Sequence, residues 1–192
     1  MVKKLSSLLT RISTPLVAAA GAALFLLFMV LVLPGQAEAS RQEVGDAPSP
    51  DTSLTYSPGE LYQMAEGYGE QGRRAYIRTR FTFDLIFPLV YGFFLVTAIS
   101  WASRHFFPSR PALGLTNLIP LAGVLFDYLE NISTSLVMGA FPSRLPAVPI
   151  LAPAFTLLKW LWLGLSFLVL LGIFLAGLFR KINPGEPPSP AS

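Results

Sequence analysis

Residues 16–33 read LVAAAGAALFLLFMVLVL, an apolar run without a charged side chain that is bounded by two prolines. A membrane-spanning α-helix needs about 17–25 such residues, because each residue rises about 1.5 Å through a hydrocarbon core of about 30 Å. Gly21 lies within the run, and small residues of this kind allow a neighbouring helix to approach closely. The run therefore predicts a first transmembrane helix over residues 15–34.

The composition of the whole chain indicates the same class of protein. Of the 192 residues, 53% are hydrophobic and only 13% are charged, about half the charged share of a typical soluble domain. The chain has no cysteine and a single histidine, which excludes disulfides, thiolate metal sites and the usual multi-histidine zinc sites. The net charge of +3 is spread along the chain without a basic tract, so we expect no nucleic-acid partner.

Three further apolar runs follow, and they predict transmembrane helices over residues 81–101, 113–140 and 151–179. Each run is bounded by short segments rich in proline or basic residues, which are typical of loops. We therefore expect an all-α integral membrane protein, a bundle of four transmembrane helices in which the bilayer covers the outer apolar faces.

Between the first two runs lies a polar segment, residues 35–80. Its proline-rich first part, residues 35–57, predicts an irregular loop. Residues 57–60, Ser-Pro-Gly-Glu, match a capping box with proline at the first helical position, and they predict an amphipathic helix over residues 58–80 on the membrane surface. Gly67, Gly69 and Gly72 weaken a helix in this stretch, so a connector with a few helical turns is the alternative.

Four spans place both chain ends on one side of the membrane, and the basic residues suggest which side. The short segments on the side of the ends carry seven Lys or Arg residues and the other side carries six, a small difference. Because the first helix usually dominates orientation, its basic start predicts a cytoplasmic N-terminus over residues 1–14, an extracytoplasmic loop over residues 35–80 and a plasma (inner) membrane location. The proline-rich end, residues 180–192, predicts a disordered cytoplasmic tail.

A secretory signal peptide is the competing interpretation of the first run. Basic residues precede the run, and Ala-Glu-Ala at residues 37–39 resembles a cleavage site. A signal peptide's apolar core has about 7–15 residues, whereas this run is longer, which favours a retained helix. Cleavage would leave three transmembrane helices.

Four ionisable residues fall inside the predicted spans, namely Asp84, Asp127, Glu130 and Lys159. Each costs about 2.5–3.5 kcal/mol at the centre of a membrane helix, so such residues normally face the bundle interior and mark functional sites. Helical spacing places them on stripes with other polar side chains, and together they predict a buried polar cluster in the outer half or near the middle of the membrane. The candidate binding residues are Asp84, Tyr91, Asp127, Glu130, Asn131 and Lys159.

Three carboxylates in this cluster face one lysine, which leaves two excess negative charges. Arg78 or Arg80 could return to neutralise them, one carboxyl group could keep its proton, or a cation or a cationic head group could bind. Asp127 and Glu130 are also candidate ligands of a hard metal such as magnesium, manganese or calcium. The structural alternative is that the polar groups only hold the helices together.

The sequence does not identify a specific activity, an enzyme class or a cofactor. It contains no phosphate-binding loop, serine nucleophile elbow or paired-histidine motif. The hypothesis that we favour is a membrane protein whose acidic cluster binds a cation, a proton or a lipid head group. The alternatives are a proton or ion transporter subunit, an intramembrane lipid-acting enzyme, and a structural subunit of a membrane complex. The expected partners are the lipid bilayer and either further copies of the chain or other membrane subunits.

Overall fold

A computed structural model describes residues 1–45 and 47–182, and every regular element within these ranges is a helix. The α-helices are α1 (Val2–Ile12), α2 (Pro15–Leu27), α3 (Leu33–Val44), α4 (Pro58–Gly67), α5 (Gly69–Arg80), α6 (Phe83–Phe106), α7 (Ile119–Ala140) and α8 (Val148–Ile182). A π-helical turn, Phe28–Val32, joins α2 to α3, and short 3₁₀ segments cover Pro50–Thr52 and Pro111–Leu118.

Within residues 1–45 and 47–182, four continuous helical stretches are long and apolar enough to cross a membrane. They are Pro15–Val44, Gly69–Phe106, Pro111–Ala140 and Val148–Ile182. This confirms the prediction of an all-α chain with four helices of membrane-spanning length and composition. The fourth helix continues to Ile182, so the predicted tail begins inside a helix, and the rest of that tail lies outside the described residues.

The first stretch extends further than the sequence predicts, because residues 35–44 continue the helix instead of forming an irregular loop. Pro34 has no N–H to donate, and a regular α-helix would clash with its ring. The π-helical turn just before it has a wider hydrogen-bond spacing, with the N–H of Leu33 donating to the carbonyl of Phe28, and it accommodates the proline. The helix ends at Val44, and the next residue, Gly45, caps it with a φ of 67° that suits glycine.

The N-terminal residues also form a helix that the sequence analysis does not anticipate, and buried polar contacts attach it to the bundle. Asn117 is fully buried and its Nδ2 donates to the carbonyl of Ser6 at 3.2 Å and to Ser100 Oγ at 2.9 Å. The guanidinium of Arg104 donates to the carbonyl of Ser13 at 3.0 Å. Helix α1 is therefore part of the folded body.

Residues 58–80 form two helices, α4 and α5, which meet at Gly69, where φ is 62°. The capping box is present: the N–H of Ser57 donates to Glu60 Oε2 at 2.6 Å, and the N–H of Glu60 donates to Ser57 Oγ at 3.2 Å. Leu61 and Ala65 on α4 are completely buried in a cluster with residues of α7 and α8. The inner face of α4 thus packs on the ends of these two helices.

The largest interface between helices joins α7 and α8, and α6 packs on both of them and on α2. Small residues make the close contacts. A Cβ atom at Gly21 would lie 3.0 Å from Thr97 Oγ1, and one at Gly123 would lie 3.5 Å from the backbone of Leu163. This packing brings the polar faces of α6, α7 and α8 together inside the bundle.

Candidate functional site

The centre of the polar cluster is an ion pair between α7 and α8. Glu130 is completely buried and Lys159 is 5% exposed, and Lys159 Nζ contacts Glu130 Oε2. Thr156 lies almost one turn before Lys159 on α8, and its Oγ1 donates to Glu130 Oε1 at 2.7 Å. Both carboxylate oxygens of Glu130 therefore have a partner, which a buried charge requires.

A residue from the segment between α3 and α4 closes this network. The hydroxyl of Tyr56, which is 6% exposed, lies 2.9 Å from Thr156 Oγ1. Because Thr156 gives its only hydroxyl proton to Glu130, the Tyr56 hydroxyl acts as the donor to Thr156. Burial raises the pKa of Tyr56 above its ordinary value of 10.0, so its hydroxyl keeps this proton at neutral pH.

A second cationic centre lies at the start of α6. Arg80 pairs with Asp84, one turn ahead, at 2.9 Å, and with Asp51 from the short 3₁₀ segment. The side chain of Arg80 is 11% exposed, and its guanidinium lies 4.5 Å from the centre of the Tyr76 ring. Arg80 is therefore the arginine that returns to the cluster, whereas Arg78 pairs with a carboxylate at the surface.

Asp127 has different partners from the other acids. Tyr91 Oη donates to its Oδ2 at 2.9 Å, and Asn131 Nδ2 donates to its Oδ1 at 3.0 Å. Both donors are neutral, and within residues 1–45 and 47–182 no Lys, Arg or His forms an ion pair with Asp127. Asp127 is thus a carboxyl group that can change its protonation state without breaking an ion pair.

The charges of the cluster do not balance. In the part of the chain that the structure describes, four carboxyl groups, those of Asp51, Asp84, Asp127 and Glu130, lie near two cations, and these groups act on one another's charge. Arg80 adds a positive charge to the cluster, as one of the alternatives predicted from the sequence requires. Asp51, which was not predicted, adds a negative charge. Four acids against two bases leave two excess negative charges, the same excess that the sequence predicts.

All six candidate residues from the sequence lie in this region. Asp84 joins the arginine centre, Glu130 and Lys159 pair with each other, and the remaining three form one hydrogen-bonded group: Tyr91, Asp127 and Asn131. Asp51 and Tyr56 are not predicted from the sequence, because both lie in an irregular segment without helical spacing. Thr156 belongs to the polar stripe that helical spacing predicts on the fourth span, since it shares a helix face with Lys159.

The metal hypothesis receives no support from the part of the chain that the structure describes, where no group of three or more His, Asp or Glu side chains could hold a metal ion. Glu130 is occupied by Lys159 and Thr156, whereas Asp127 is occupied by two neutral donors. The two acids therefore do not present a common set of free oxygen ligands.

Comparisons with protein-family models, curated proteins and solved structures give no significant match for this chain. Its function is therefore inferred from the chemistry of its own residues. The chemistry available is that of a fixed network around Glu130 and Lys159, beside a carboxyl group on Asp127 whose partners are neutral.

Proposed function

We propose that this chain is an integral membrane protein that spans the bilayer four times and binds a proton in its buried acidic cluster. The observation that carries the proposal is the excess of two carboxyl groups over basic groups among the described residues of the cluster, together with the two neutral hydrogen-bond donors to Asp127. A protonated carboxyl group at this place would remove one of the two excess charges without a metal ion.

Apolar side chains on the outside of the helices support insertion in a membrane. Along α8, Leu157, Leu161, Leu168 and Leu171 are 54% or more exposed, while the polar Thr156 and Ser166 are fully buried. A soluble protein rarely exposes an apolar surface of this extent, and a bilayer covers it without cost. Apolar side chains outside and polar side chains inside are the arrangement expected of helices in a bilayer, and this supports four membrane spans.

The ends of the helices support an orientation with both termini in the cytoplasm. Lys3, Lys4 and Arg11 precede the first span, and the first helix usually dominates the orientation. Cytoplasmic segments next to spans are enriched in basic residues. The polar contacts of α1 with Asn117 and Arg104 support retention of the first helix, because cleavage after residue 39 would remove them.

A proton fits the site better than a metal ion or a head group. The acids are divided among separate partners, so a metal ion would have to displace Lys159 or the donors to Asp127. A cationic head group would have to displace Arg80 from Asp51 and Asp84. A proton needs only one oxygen lone pair and no space.

Infrared difference spectroscopy of the purified protein tests the proposal. A pH step between about 4 and 9 should reveal the C=O band of a buried protonated carboxyl group, because exposed carboxyl groups are ionised over most of that range. We expect Asp127→Asn to remove this band. The matched control Glu66→Gln, which changes an exposed acid on α4, should leave it unchanged. A spectrum without a buried carboxyl band at any pH would refute the proposal.

Proton flux into liposomes then separates binding from transport. If the bound proton is carried across the membrane, the reconstituted protein conducts protons and Glu130→Gln abolishes the flux, because that change breaks the link to Lys159. If the infrared band is present and the flux in both forms equals that of empty liposomes, the proton is a fixed part of the site and the transporter hypothesis is wrong.

A further inference from the structure

A cavity of about 760 Å³ lies at the end of the molecule that holds the N-terminus, between α1 and the segment over residues 103–115. Among residues 1–45 and 47–182, four cationic side chains line it and no acidic side chain does. They come from two separate parts of the chain and are Lys3, Arg11, Arg104 and Arg110. Because like charges repel, such a convergence favours an anion as occupant.

Two of the basic groups that line the cavity, Arg104 and Arg110, have contacts that position them. The guanidinium of Arg104 donates to the carbonyls of Thr10 at 3.1 Å and Ser13 at 3.0 Å, which holds it at the junction of α1 and α2. Arg110 lies 6.0 Å from the centre of the Phe107 ring. The hydroxyl groups of Ser7 and Thr10 also line the cavity, and each donates within α1, to the carbonyls of Lys4 and Ser6 at 2.9 Å.

Most of the remaining cavity wall is apolar, with Pro108, Ala112 and Leu115 among the lining residues. A small, fully hydrated anion gains nothing from such a wall. An amphiphile fits it, because the phosphate contacts the basic groups while the adjoining glycerol and acyl carbons contact the apolar residues.

The placement of α1 brings this cavity to the surface of the bilayer. Leu5, Leu8 and Ile12 lie on one face of α1 and are 45–55% exposed, whereas Ser6 on another face is 4% exposed and packs on the protein. A short helix with such an apolar face and several basic residues lies in the membrane interface, at the depth of the head groups.

We propose that this cavity binds the phosphate head group of an anionic phospholipid. Arginine is suited to the role because its planar guanidinium donates two parallel hydrogen bonds to a phosphate. Anionic lipids are enriched in the cytoplasmic leaflet, and each nearby Lys or Arg adds about 1 kcal/mol of attraction to them, which is about fivefold in affinity. The inference rests on the proposed membrane orientation and is independent of the proton site.

The test uses the full-length protein in a neutral detergent, with dioctanoyl phosphatidylglycerol as the probe and native mass spectrometry as the readout. Dioctanoyl phosphatidylcholine and inorganic phosphate are the comparison probes. We expect the wild type to bind phosphatidylglycerol in preference to both of them. The double variant Arg11→Gln, Arg110→Gln should weaken that binding about 25-fold, from two factors of about five.

A charge-matched control removes two basic residues from the same end that do not line the cavity. In the control double variant Lys4→Gln, Lys181→Gln, the logarithm of the affinity for phosphatidylglycerol should fall by less than half as much as it does when the two arginines of the cavity are replaced. Equal binding of the two lipids by the wild type would overturn the proposal, as would equal losses in the two double variants. Phosphate that competes as strongly as the lipid would also overturn it, since the site would then recognise the free anion. The comparison of lipids in the wild type needs no variant, so a folding defect cannot obscure the result.

Discussion

Replacing Lys159 by methionine would leave Glu130 in the interior without its cationic partner. Methionine has nearly the length of lysine and no charge, so the change removes the ion pair with little loss of packing. Glu130 would keep the hydrogen bond from Thr156 at 2.7 Å, but the oxygen that faces Lys159 would have no donor among the contacts that the structure describes. Glu130 must then either remain charged or take up a proton, and both alternatives destabilise the native fold at neutral pH.

The size of the loss follows from burial. The side chains of Glu130 and Lys159 are 0% and 6% exposed, so water screens their interaction very little. Breaking a pair of this kind costs about 3–5 kcal/mol of unfolding free energy, whereas replacing both partners by uncharged residues is often nearly neutral. We therefore expect Lys159→Met to cost about 3–5 kcal/mol, and the double variant Glu130→Gln, Lys159→Met to recover at least about 2 kcal/mol of that loss.

Unfolding by dodecyl sulfate in mixed micelles, followed by circular dichroism of the helices, measures these free energies. Tryptophan fluorescence is unsuitable, because Lys159 Nζ lies 5.1 Å from the centre of the Trp160 ring and the variant would change the signal itself. The control is Arg74→Met, which removes an exposed pair with Glu70 and should cost about 0–1 kcal/mol. Equal losses in Lys159→Met and Arg74→Met, or additive losses in the double variant, would refute a buried ion pair.

Three further substitutions test other parts of the fold. Asn117→Ala should cost about 1–3 kcal/mol and speed trypsin cleavage in α1, because it removes the donor that ties this helix to the bundle; an unchanged cleavage rate would contradict that role. Gly21→Leu should cost about 1–3 kcal/mol in thermal unfolding, since a Cβ already approaches Thr97 to 3.0 Å, and a neutral result would show that α2 and α6 do not pack closely. Hydrogen bonds from Ser57 lower the pKa of Glu60 below its ordinary value of 4.5, so the wild type should be more stable than Glu60→Gln above about pH 4.5. That advantage should disappear as the pH falls through the lowered pKa, and a difference that does not depend on pH would contradict the capping interaction.

The four long helices could be predicted from the sequence because their signal is local. The length and apolarity of a run decide whether it can span a bilayer, and no tertiary contact is needed for that inference. The extension of the first helix to Val44 could not be predicted in the same way. Pro34 normally ends a helix, and only the π-helical turn that precedes it, which the sequence pattern does not reveal, allows the helix to continue.

The membrane-embedded part of the candidate site could also be predicted, since charged residues within apolar runs are costly and few. Asp51 and Tyr56 could not, because they reach the site through the path of an irregular segment. Arg80 is an intermediate case. Its spacing of four residues from Asp84 favours it over Arg78, and this local signal could have decided between the two arginines.

The basic cavity illustrates the same limit. The sequence places basic residues near each end of the helices, but it does not show that α1 folds back beside residues 103–115. That contact depends on Asn117 and Arg104, which find their partners about a hundred residues earlier in the chain. Long-range hydrogen bonds of this kind leave no periodic pattern in the sequence.

The membrane topology is the claim on which the other proposals rest, and the absence of cysteine makes it directly measurable. Single-cysteine variants at three exposed positions, Lys4→Cys, Glu66→Cys and Ser109→Cys, can be labelled in intact cells with a maleimide that does not cross membranes. We predict that Glu66→Cys is labelled from outside, and that the other two are labelled only after the membrane is opened. Labelling of Lys4→Cys and Glu66→Cys from the same side, or of Lys4→Cys and Ser109→Cys from opposite sides, would contradict the four-span topology.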